Sequence, residues 1–281
     1  MSGPAPAQER PEIASSVVTG GFTTNYHDLG SGDTVVMLHG SGPGVSAWAN
    51  WNLTFPLLSD AFHLYAPDLA GFGYTERVPG AVYTLDGWVR QVVDFFDALG
   101  IDKAHLVGNS FGGALALALA VTHPERIDRL VLMGAAGVSF PITYGLDRVW
   151  GYEPSLETMT ELLGIFTYDH SFITPELIRS RYEGSIQPGF HETYSSMFPA
   201  PRQRAVEQMA GYESYLRDIT HQTLIVHGLN DRVIPVSNSL RMLDLIPNAQ
   251  LHVFGKCGHW TQIEHTAEFC DLLRGFFTHD R

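Results

Sequence analysis

The sequence has few basic residues and few cysteines, and each shortage excludes a class of function. Lysine and arginine total 17 against 30 aspartates and glutamates in 281 residues, so the formal net charge is −13 with histidine neutral. Nucleic-acid binding draws its affinity largely from Lys and Arg meeting phosphate, so this balance argues against a nucleic-acid partner. It equally disfavours an anionic membrane surface. Two cysteines, Cys257 and Cys270, are too few for a disulfide framework.

The sequence also offers no recognisable targeting or membrane segment. The opening stretch, MSGPAPAQERPEI, lacks the basic stretch and the apolar run of a secretory signal. The most apolar segment, FGGALALALAV at 111–121, is shorter than the roughly 18 residues that indicate a membrane span. We therefore expect a cytoplasmic protein with no membrane partner, and a frayed start over the Pro- and Ala-rich first dozen residues.

Apolar residues alternate between strand spacing and helix spacing along most of the chain. Before residue 134 the pattern predicts strands at 16–18, 22–27, 35–38, 62–66, 104–107 and 130–133, with helices at 85–99 and 111–121. Beyond it the pattern predicts only helical pieces at first, near 156–166, 175–182 and 202–216. Alternation then resumes with strands at 223–227 and 251–254 and helices at 240–246 and 267–277.

This order of elements predicts an α/β fold. A mostly parallel twisted sheet is flanked by helices, and a helical cap is inserted after the sixth strand. Residues 1–136 are expected to form the first part of the core, 137–215 the cap, and 216–281 the second part of the core.

One serine stands in a motif that exposes nucleophiles. Gly108-Asn109-Ser110-Phe111-Gly112 fits G-x-S-x-G and lies between an apolar strand and an apolar helix. A sharp strand-to-helix turn exposes the serine hydroxyl, and the glycines permit a turn that side chains would obstruct. Ser110 is therefore the candidate nucleophile rather than an ordinary serine at a helix start.

A serine nucleophile needs a base to take its proton and an acid to orient that base. His259 follows the last predicted strand and is the candidate base, and Asp231 follows the strand before it and is the candidate acid. Loops after parallel strands gather at one edge of the sheet, and the order Ser110, Asp231, His259 is the one expected on an α/β-hydrolase sheet. Weaker candidates lie in predicted helices or inside the sheet: Asp218, Asp244 and His227.

A glycine-rich loop, His39-Gly40-Ser41-Gly42-Pro43-Gly44, follows the third predicted strand. Such a loop can aim the N–H of Ser41 at a developing oxyanion, together with the N–H of Phe111 after the nucleophile. The nucleotide-binding patterns G-x-x-x-x-G-K-[ST] and G-x-G-x-x-G are absent, as are H-E-x-x-H and paired-cysteine metal motifs. The sequence therefore predicts neither a metal nor an organic cofactor.

Segments around these residues resemble the α/β-hydrolase superfamily and, within it, the meta-cleavage-product hydrolases of aromatic degradation: HGSGPGVSAWANW (39–51), GNSFGG (108–113) and CGHWTQIEH (257–265). Other segments resemble the members that act on 2-hydroxymuconate 6-semialdehyde: VLMGAAGVSFPIT (131–143), VWGYEPS (149–155) and SIQPGFHETYSSMFPAPRQR (185–204). The similarity runs from about 24 to 277 and includes the predicted cap.

The resemblance implies hydrolysis of a carbon–carbon bond in a vinylogous 1,5-dicarbonyl compound, giving formate and 2-hydroxypenta-2,4-dienoate. It implies an enol-to-keto step, attack by Ser110 on the C6 carbonyl with His259 as base, and release of a formyl ester by water. A gem-diol route, in which Ser110 assists water directly, uses the same residues and stays open.

The resemblance also implies residues that bind the substrate. Arg181 matches the family's carboxylate-binding arginine, for which its planar fork is suited, although a solvated arginine paired with Glu183 or Glu176 is the alternative. Asn109 and Trp260 match positions that bind the dienoate end. Asn50 matches a further family position, for which packing behind the site is the alternative. Aromatic or apolar residues in the cap are candidate walls of the acyl pocket, with plain packing as the alternative: Phe140, Ile142, Trp150 and Phe172.

Other functions stay open on the sequence. A related hydrolase could act on 6-alkyl or 6-aryl 2-hydroxy-6-oxohexa-2,4-dienoates, and a carboxylesterase or perhydrolase would use the same triad. A ligand-binding protein that kept the fold is the non-catalytic alternative. The partner is expected to be a small-molecule dienoate carboxylate, and the oligomeric state, a homo-oligomer included, is open.

Overall fold

The computed structural model describes residues 10–278, so most of the stretch predicted to be frayed, 1–9, lies outside the described residues. The strands are β1 (Ser15–Thr19), β2 (Phe22–Gly30), β3 (Asp33–Leu38), β4 (Phe62–Pro67), β5 (Ala104–Asn109), β6 (Ile127–Met133), β7 (Gln222–Gly228) and β8 (Ala249–Phe254). They form one sheet in the order β1-β2-β4-β3-β5-β6-β7-β8. β2 pairs antiparallel with β1 and β4, and the remaining pairs are parallel, which confirms the predicted α/β-hydrolase fold.

Helices cover both faces of this sheet. They are α1 (Ala47–Trp51), α2 (Phe55–Leu58), α3 (Leu85–Leu99), α4 (Phe111–Thr122), α5 (Tyr144–Trp150), α6 (Leu156–Phe166), α7 (Pro175–Ser185), α8 (Phe190–Met197), α9 (Gln203–Met209), α10 (Val236–Leu245), α11 (Thr261–Glu264) and α12 (Thr266–Thr278). Within 10–278, no helix is long and apolar enough to cross a membrane.

The alternation of side chains along β3 shows how two cores form. Val36 and Leu38 pack into one apolar cluster with α3 and α4, and Val35 and Met37 pack into a second cluster on the opposite face. Successive residues of a strand point to opposite faces, so a strand that is apolar throughout must be buried on both sides. β3 therefore lies in the middle of the sheet, where the loop that follows it reaches the carboxyl edge.

The segment between β6 and β7 is helical, but the predicted helix at 202–216 was wrong as a single element. α9 ends at Met209, and a separate 3₁₀ turn runs over Glu213–Asp218. Gly211 lies in the break, and glycine is among the poorest helix formers. Sequence patterns also missed five helices of four to eight residues, which are too short to display a helical period: α1, α2, α5, α8 and α11.

Candidate active site

Ser110 occupies a strained turn between β5 and α4. Its backbone has φ 54° and ψ −114°, and its N–H donates to the Met133 carbonyl over 2.9 Å. The neighbouring glycines are needed because the backbone packs closely: a Cβ at Gly108 would lie 2.4 Å from the Gly112 oxygen, and one at Gly112 would lie 2.4 Å from the Leu38 oxygen. A positive φ at a non-glycine residue is costly, and such strain persists where the surrounding structure enforces it.

The loops after β7 and β8 bring Asp231 and His259 together. The Nδ1 atom of His259 lies 2.7 Å from Oδ2 of Asp231, and both side chains are almost fully buried. The other carboxylate oxygen, Oδ1, accepts hydrogen bonds from the backbone N–H groups of Val233 (2.7 Å) and Ile234 (3.0 Å). Oδ1 is therefore fixed by the backbone, which leaves Oδ2 for the imidazole.

Burial by itself would raise the pKa of Asp231, because it penalises the charged form. The charge of His259 and hydrogen bonds from His227 and His259 oppose that effect and hold the pKa of the carboxyl well below its ordinary value. Asp231 is consequently a carboxylate throughout the physiological range.

The last residue of α6 and the residues just after it hold the loop that carries His259. The backbone N–H groups of His259 and Trp260 both donate to the Phe166 carbonyl, over 2.7 and 3.2 Å, and the Phe166 ring stacks on the Trp260 ring. Glu264 accepts hydrogen bonds from the N–H of Gly258 in the same loop and from that of Tyr168 beyond α6. The position of the imidazole thus depends on the helical segment inserted between β6 and β7.

A cavity lies at the carboxyl edge of the sheet. Ser110 and His259 line it together, so the structure brings both to one space with Asp231 behind the imidazole. Every residue predicted for the dienoate end also lines it, as does Ser41 of the glycine-rich loop: Asn50, Asn109, Arg181 and Trp260.

The glycine-rich loop is held from several sides. The buried His39 ring spans it, since Nδ1 lies 2.7 Å from the Gly40 oxygen and Nε2 accepts the N–H of Leu69, and burial lowers the pKa of His39 to about 4. Ser41 receives hydrogen bonds on Oγ from Trp150 Nε1 and on its carbonyl from the Tyr194 hydroxyl. Phe111 begins α4, where the first N–H groups of a helix lack intrahelical acceptors.

Arg181 is partly buried and lines the cavity. Its Nη2 donates to the Ala49 carbonyl over 2.6 Å, and its guanidinium lies 5.1 Å from the Trp260 ring centroid. Burial lowers the pKa of Arg181 to about 10. Among residues 10–278 no carboxylate lies within ion-pair distance of this guanidinium, so the alternative pairing with Glu183 or Glu176 is not formed.

Two buried polar atoms of opposite type have no hydrogen-bond partner within the described part of the chain: Nδ2 of Asn50, a donor, and Oε1 of Gln262, an acceptor. The other end of each amide is engaged, because Asn50 Oδ1 accepts the Gly40 N–H and Gln262 Nε2 donates to the Asn50 carbonyl over 3.4 Å. Both residues line the cavity. Sequence reasoning did not find Gln262, although it lies only three residues after His259.

The residues predicted as acyl-pocket walls lie elsewhere. Phe140, Ile142, Trp150 and Phe172 are not part of the cavity lining; Trp150 stacks on Phe198, and Phe172 lies in a partly exposed 3₁₀ turn. The apolar lining comes instead from the glycine-rich loop, α5, α6 and the loops after β7 and β8: Val45, Leu146, Val149, Met159, Leu163, Phe166, Val233 and Ile263. Aromatic character alone does not reveal which face of a short helix turns inward.

The weaker candidates from the sequence take other positions. Asp244 is exposed on α10 and pairs with Arg217 over 3.7 Å, and Asp218 ends the 3₁₀ turn. His227 is fully buried in β7, as predicted. Cys257 is buried beside Thr261, and burial raises the pKa of its thiol to about 12, so it is a poor nucleophile.

Comparison with known proteins extends these observations. The family model of the α/β hydrolase fold matches residues 33–266. The 2-hydroxymuconate semialdehyde hydrolase of Pseudomonas sp. strain CF600 is 55% identical over 269 residues, covering 96% of this chain and 95% of the relative. The 2-hydroxy-6-oxo-2,4-heptadienoate hydrolase of Pseudomonas putida F1 is 53% identical, covering 94% and 96%.

Solved structures give the same picture. A mutant meta-cleavage product hydrolase from Pseudomonas fluorescens, complexed with acetates, superposes with a TM-score of 0.94 at 54% identity, covering 95% of this chain and 98% of that one. The 2-hydroxy-6-oxo-6-phenylhexa-2,4-dienoate hydrolase of Rhodococcus sp. strain RHA1 superposes with a TM-score of 0.84 at 32% identity, covering 94% and 98%.

Proposed function

The chain belongs to the α/β hydrolase fold family and, within it, to the meta-cleavage product hydrolases, and on that premise we propose how it cleaves a carbon–carbon bond. Ser110 is the nucleophile, His259 the base and Asp231 the acid. The substrate is 2-hydroxymuconate 6-semialdehyde, and water converts it to formate and 2-hydroxypenta-2,4-dienoate.

The main support for this proposal is the set of residues that line the cavity at the carboxyl edge of the sheet. Ser110 and His259 line it beside the partly buried Arg181, which has no carboxylate partner among residues 10–278. A buried charge without a counterion is costly, and a bidentate carboxylate is the group that best matches a guanidinium. A substrate carboxylate would therefore be attracted locally despite the net charge of −13.

Two buried amide atoms of the cavity lining, which have no partner among residues 10–278, support a 2-hydroxy acid in particular. Asn50 Nδ2 would donate a hydrogen bond to the carboxylate, and Gln262 Oε1 would accept a hydrogen bond from the adjacent enol hydroxyl. A site with unsatisfied groups rejects ligands that leave them unsatisfied, so this pair favours the 2-hydroxydienoate over an acid that lacks the hydroxyl.

The chemistry follows from these contacts. The enol proton leaves O2 and C5 gains a proton, so the fragment that leaves is a dienol and not a bare carbanion. His259 Nε2 then takes the Ser110 proton as Oγ attacks C6, and the N–H groups of Ser41 and Phe111 stabilise the oxyanion. The C5–C6 bond breaks with its electron pair moving into the dienolate, and a formyl ester remains on Ser110. The imidazolium of His259 gives its proton to the departing dienolate, which leaves as the dienol. Neutral His259 then activates water, which releases formate; a gem-diol route would use the same residues.

The acyl end is the part on which the relatives differ. The relative at 55% identity is named for the semialdehyde and the one at 53% for the heptadienoate, which carries a methyl group at that end. Leu146 and Val149 of α5 and Met159 and Leu163 of α6 line the cavity, and their branched or long side chains favour a small acyl group. This supports residues 137–215 as a cap over a core of 1–136 and 216–281, with 6-alkyl dienoates as the second substrate class.

The first test is turnover of the yellow ring-fission products. We expect the protein to bleach the product of catechol with a higher kcat/KM than the product of 3-methylcatechol, and to act slowest on that of biphenyl-2,3-diol. Absorbance at the enolate band gives all three rates. Persistent colour together with rapid cleavage of p-nitrophenyl acetate would replace the proposal by an esterase, and binding without either turnover would indicate a binding protein.

A second test concerns the carboxylate. Arg181→Gln should raise KM for the ring-fission product about ten- to 150-fold, which corresponds to the loss of roughly 1.5–3 kcal/mol from a charged hydrogen bond. Arg179→Gln is the matched control, because Arg179 lies on the same helix and is exposed. Hydrolysis of p-nitrophenyl acetate, which has no free carboxylate, should be unchanged in both variants. An unaltered KM in Arg181→Gln would remove this residue from the site.

The location of the protein is a further part of the proposal. Both cysteines are free and buried, and burial raises the pKa of each thiol to about 12. Free thiols fit a reducing compartment, which supports the cytoplasm.

A further inference from the structure

The carboxylate of Asp231 contacts two imidazoles, and only one of them has a part in the chemistry above. His227 lies in β7, four residues before Asp231, and its side chain is fully buried. Its Nε2 atom is 3.3 Å from Oδ2 of Asp231 and 2.9 Å from the Ile234 carbonyl oxygen. Its Nδ1 atom is 2.6 Å from the hydroxyl oxygen of Ser239 on α10.

These contacts fix where His227 carries hydrogen. A carbonyl oxygen can only accept, so the short contact to Ile234 requires a proton on Nε2 of His227. Oδ2 of Asp231 lies 3.3 Å from the same Nε2, so the polar N–H lies against the carboxylate while its hydrogen bond goes to Ile234. The Ser239 hydroxyl, which can donate or accept, holds the opposite side of the ring.

The ionisable groups around the His227–Asp231 pair lie in the loop after β8 and in α11. His259 approaches the same Oδ2 from the loop after β8 at 2.7 Å. The Cys257 thiol lies within electrostatic range of Asp231, and its raised pKa of about 12 keeps it uncharged near neutral pH. Glu264 lies beyond that thiol and is engaged by backbone N–H groups. The charge that His227 contacts directly is therefore that of Asp231.

We propose that His227 is a positioning residue of the triad: its Nε2–H holds Oδ2 of Asp231 and draws charge from it, and this sets the pH at which His259 becomes a base. The inference rests on the triad proposed above but not on the identity of the substrate. Because Oδ1 of Asp231 is fixed independently by two backbone N–H groups, the carboxylate would keep its place without His227. Its charge would then act more fully on His259 and favour the protonated imidazole.

The test compares two amides at position 227. In His227→Gln the side-chain nitrogen reaches the place of Nε2 and can still donate to Asp231. In His227→Asn the shorter side chain places its nitrogen near Nδ1, beside Ser239, and leaves Oδ2 without this donor. The two variants carry the same amide group and differ in the neighbour that its nitrogen contacts, Asp231 in the first and Ser239 in the second.

The measurement is the pH profile of kcat/KM for p-nitrophenyl acetate, an ester that does not itself titrate between pH 5 and 9. In His227→Asn the acid limb should move upward by about 0.5–1 pH unit, so that kcat/KM falls about three- to tenfold at low pH and little above pH 8. His227→Gln should keep the wild-type limb. The proposal would be overturned if the acid limb lay at the same pH in the wild type and both variants, or if it moved equally in both variants. A downward shift of the limb in His227→Asn would overturn it as well.

A measurement on the unaltered protein covers the case in which the buried substitutions prevent folding. In ¹⁵N-histidine spectra we expect one exchange-protected Nε2–H resonance that shifts as a second histidine titrates through the acid limb. The inference would be overturned if no protected Nε2–H resonance were found, or if its chemical shift stayed constant while the second histidine titrates. If the protein fails to bleach ring-fission products, the proposed substrate is refuted. The role of His227 can still be tested in that case, because the pH profile is measured with p-nitrophenyl acetate.

Discussion

Replacing Ser110 by alanine should lower kcat for the ring-fission product by about 10⁴- to 10⁶-fold, the loss that follows removal of the nucleophile from a serine triad. The backbone at this position is held at φ 54° by the turn between β5 and α4, and alanine meets the same steric cost as serine, so the variant should fold. Single-turnover absorbance measurements give the rate, and an exposed serine changed in parallel, Ser214→Ala, is the control.

The same variant separates catalysis from binding. The cavity around Arg181 is untouched by Ser110→Ala, so the dienoate product should bind with a Kd close to that of the wild type. Retention of turnover within tenfold would contradict the nucleophile assignment and favour water attack that needs no serine. Loss of both turnover and binding would instead indicate that the turn had collapsed.

Asp231→Asn should reduce kcat by about 10⁴-fold with little change in KM. Two backbone N–H groups require an acceptor at the position of Oδ1, so the amide oxygen takes that place and the amide NH₂ takes the place of Oδ2. The NH₂ would then face Nδ1–H of His259, donor against donor. The imidazole would then carry its proton on Nε2 instead of Nδ1. A protonated Nε2 cannot accept the proton of Ser110.

Asp244→Asn is the matched control for this change, because Asp244 is exposed and distant from His259. Steady-state rates on the ring-fission product and on p-nitrophenyl acetate should fall together in Asp231→Asn, since both reactions need the base. A decrease of less than tenfold on both substrates would show that His259 is oriented by some other group.

The sequence predicted those parts of the molecule whose signals are local. The bounds of α3 match the predicted 85–99 because Thr84 caps the first turn and Gly100 ends the helix with φ 67°. Chain order and strand ends were likewise enough to place Asp231 and His259 at one edge of the sheet, since the topology of a parallel sheet leaves few alternatives.

The features that the sequence did not predict depend on tertiary packing, including the packing of the helices between β6 and β7 against the sheet and its loops. Trp150 belongs to a segment that resembles the family, yet its ring supports Ser41 from behind and does not line the cavity. Gln262 stands out by a buried amide oxygen that has no partner among residues 10–278, and His227 by its contacts to Asp231 and Ser239; no spacing rule reveals either. Such roles follow from tertiary packing, and only the folded chain displays them.

The hydrogen bonds that Phe166 accepts from His259 and Trp260, with those of Glu264, have a consequence for engineering. The end of α6 both lines the cavity and holds the loop that carries His259. Changes at the end of α6 therefore affect substrate range and reaction rate together. A foreign sequence introduced there to admit bulkier ketones would also remove contacts that fix the position of the His259 imidazole. Mutational libraries aimed at wider scope should therefore spare the residues after Leu163 and diversify the inward face of α5.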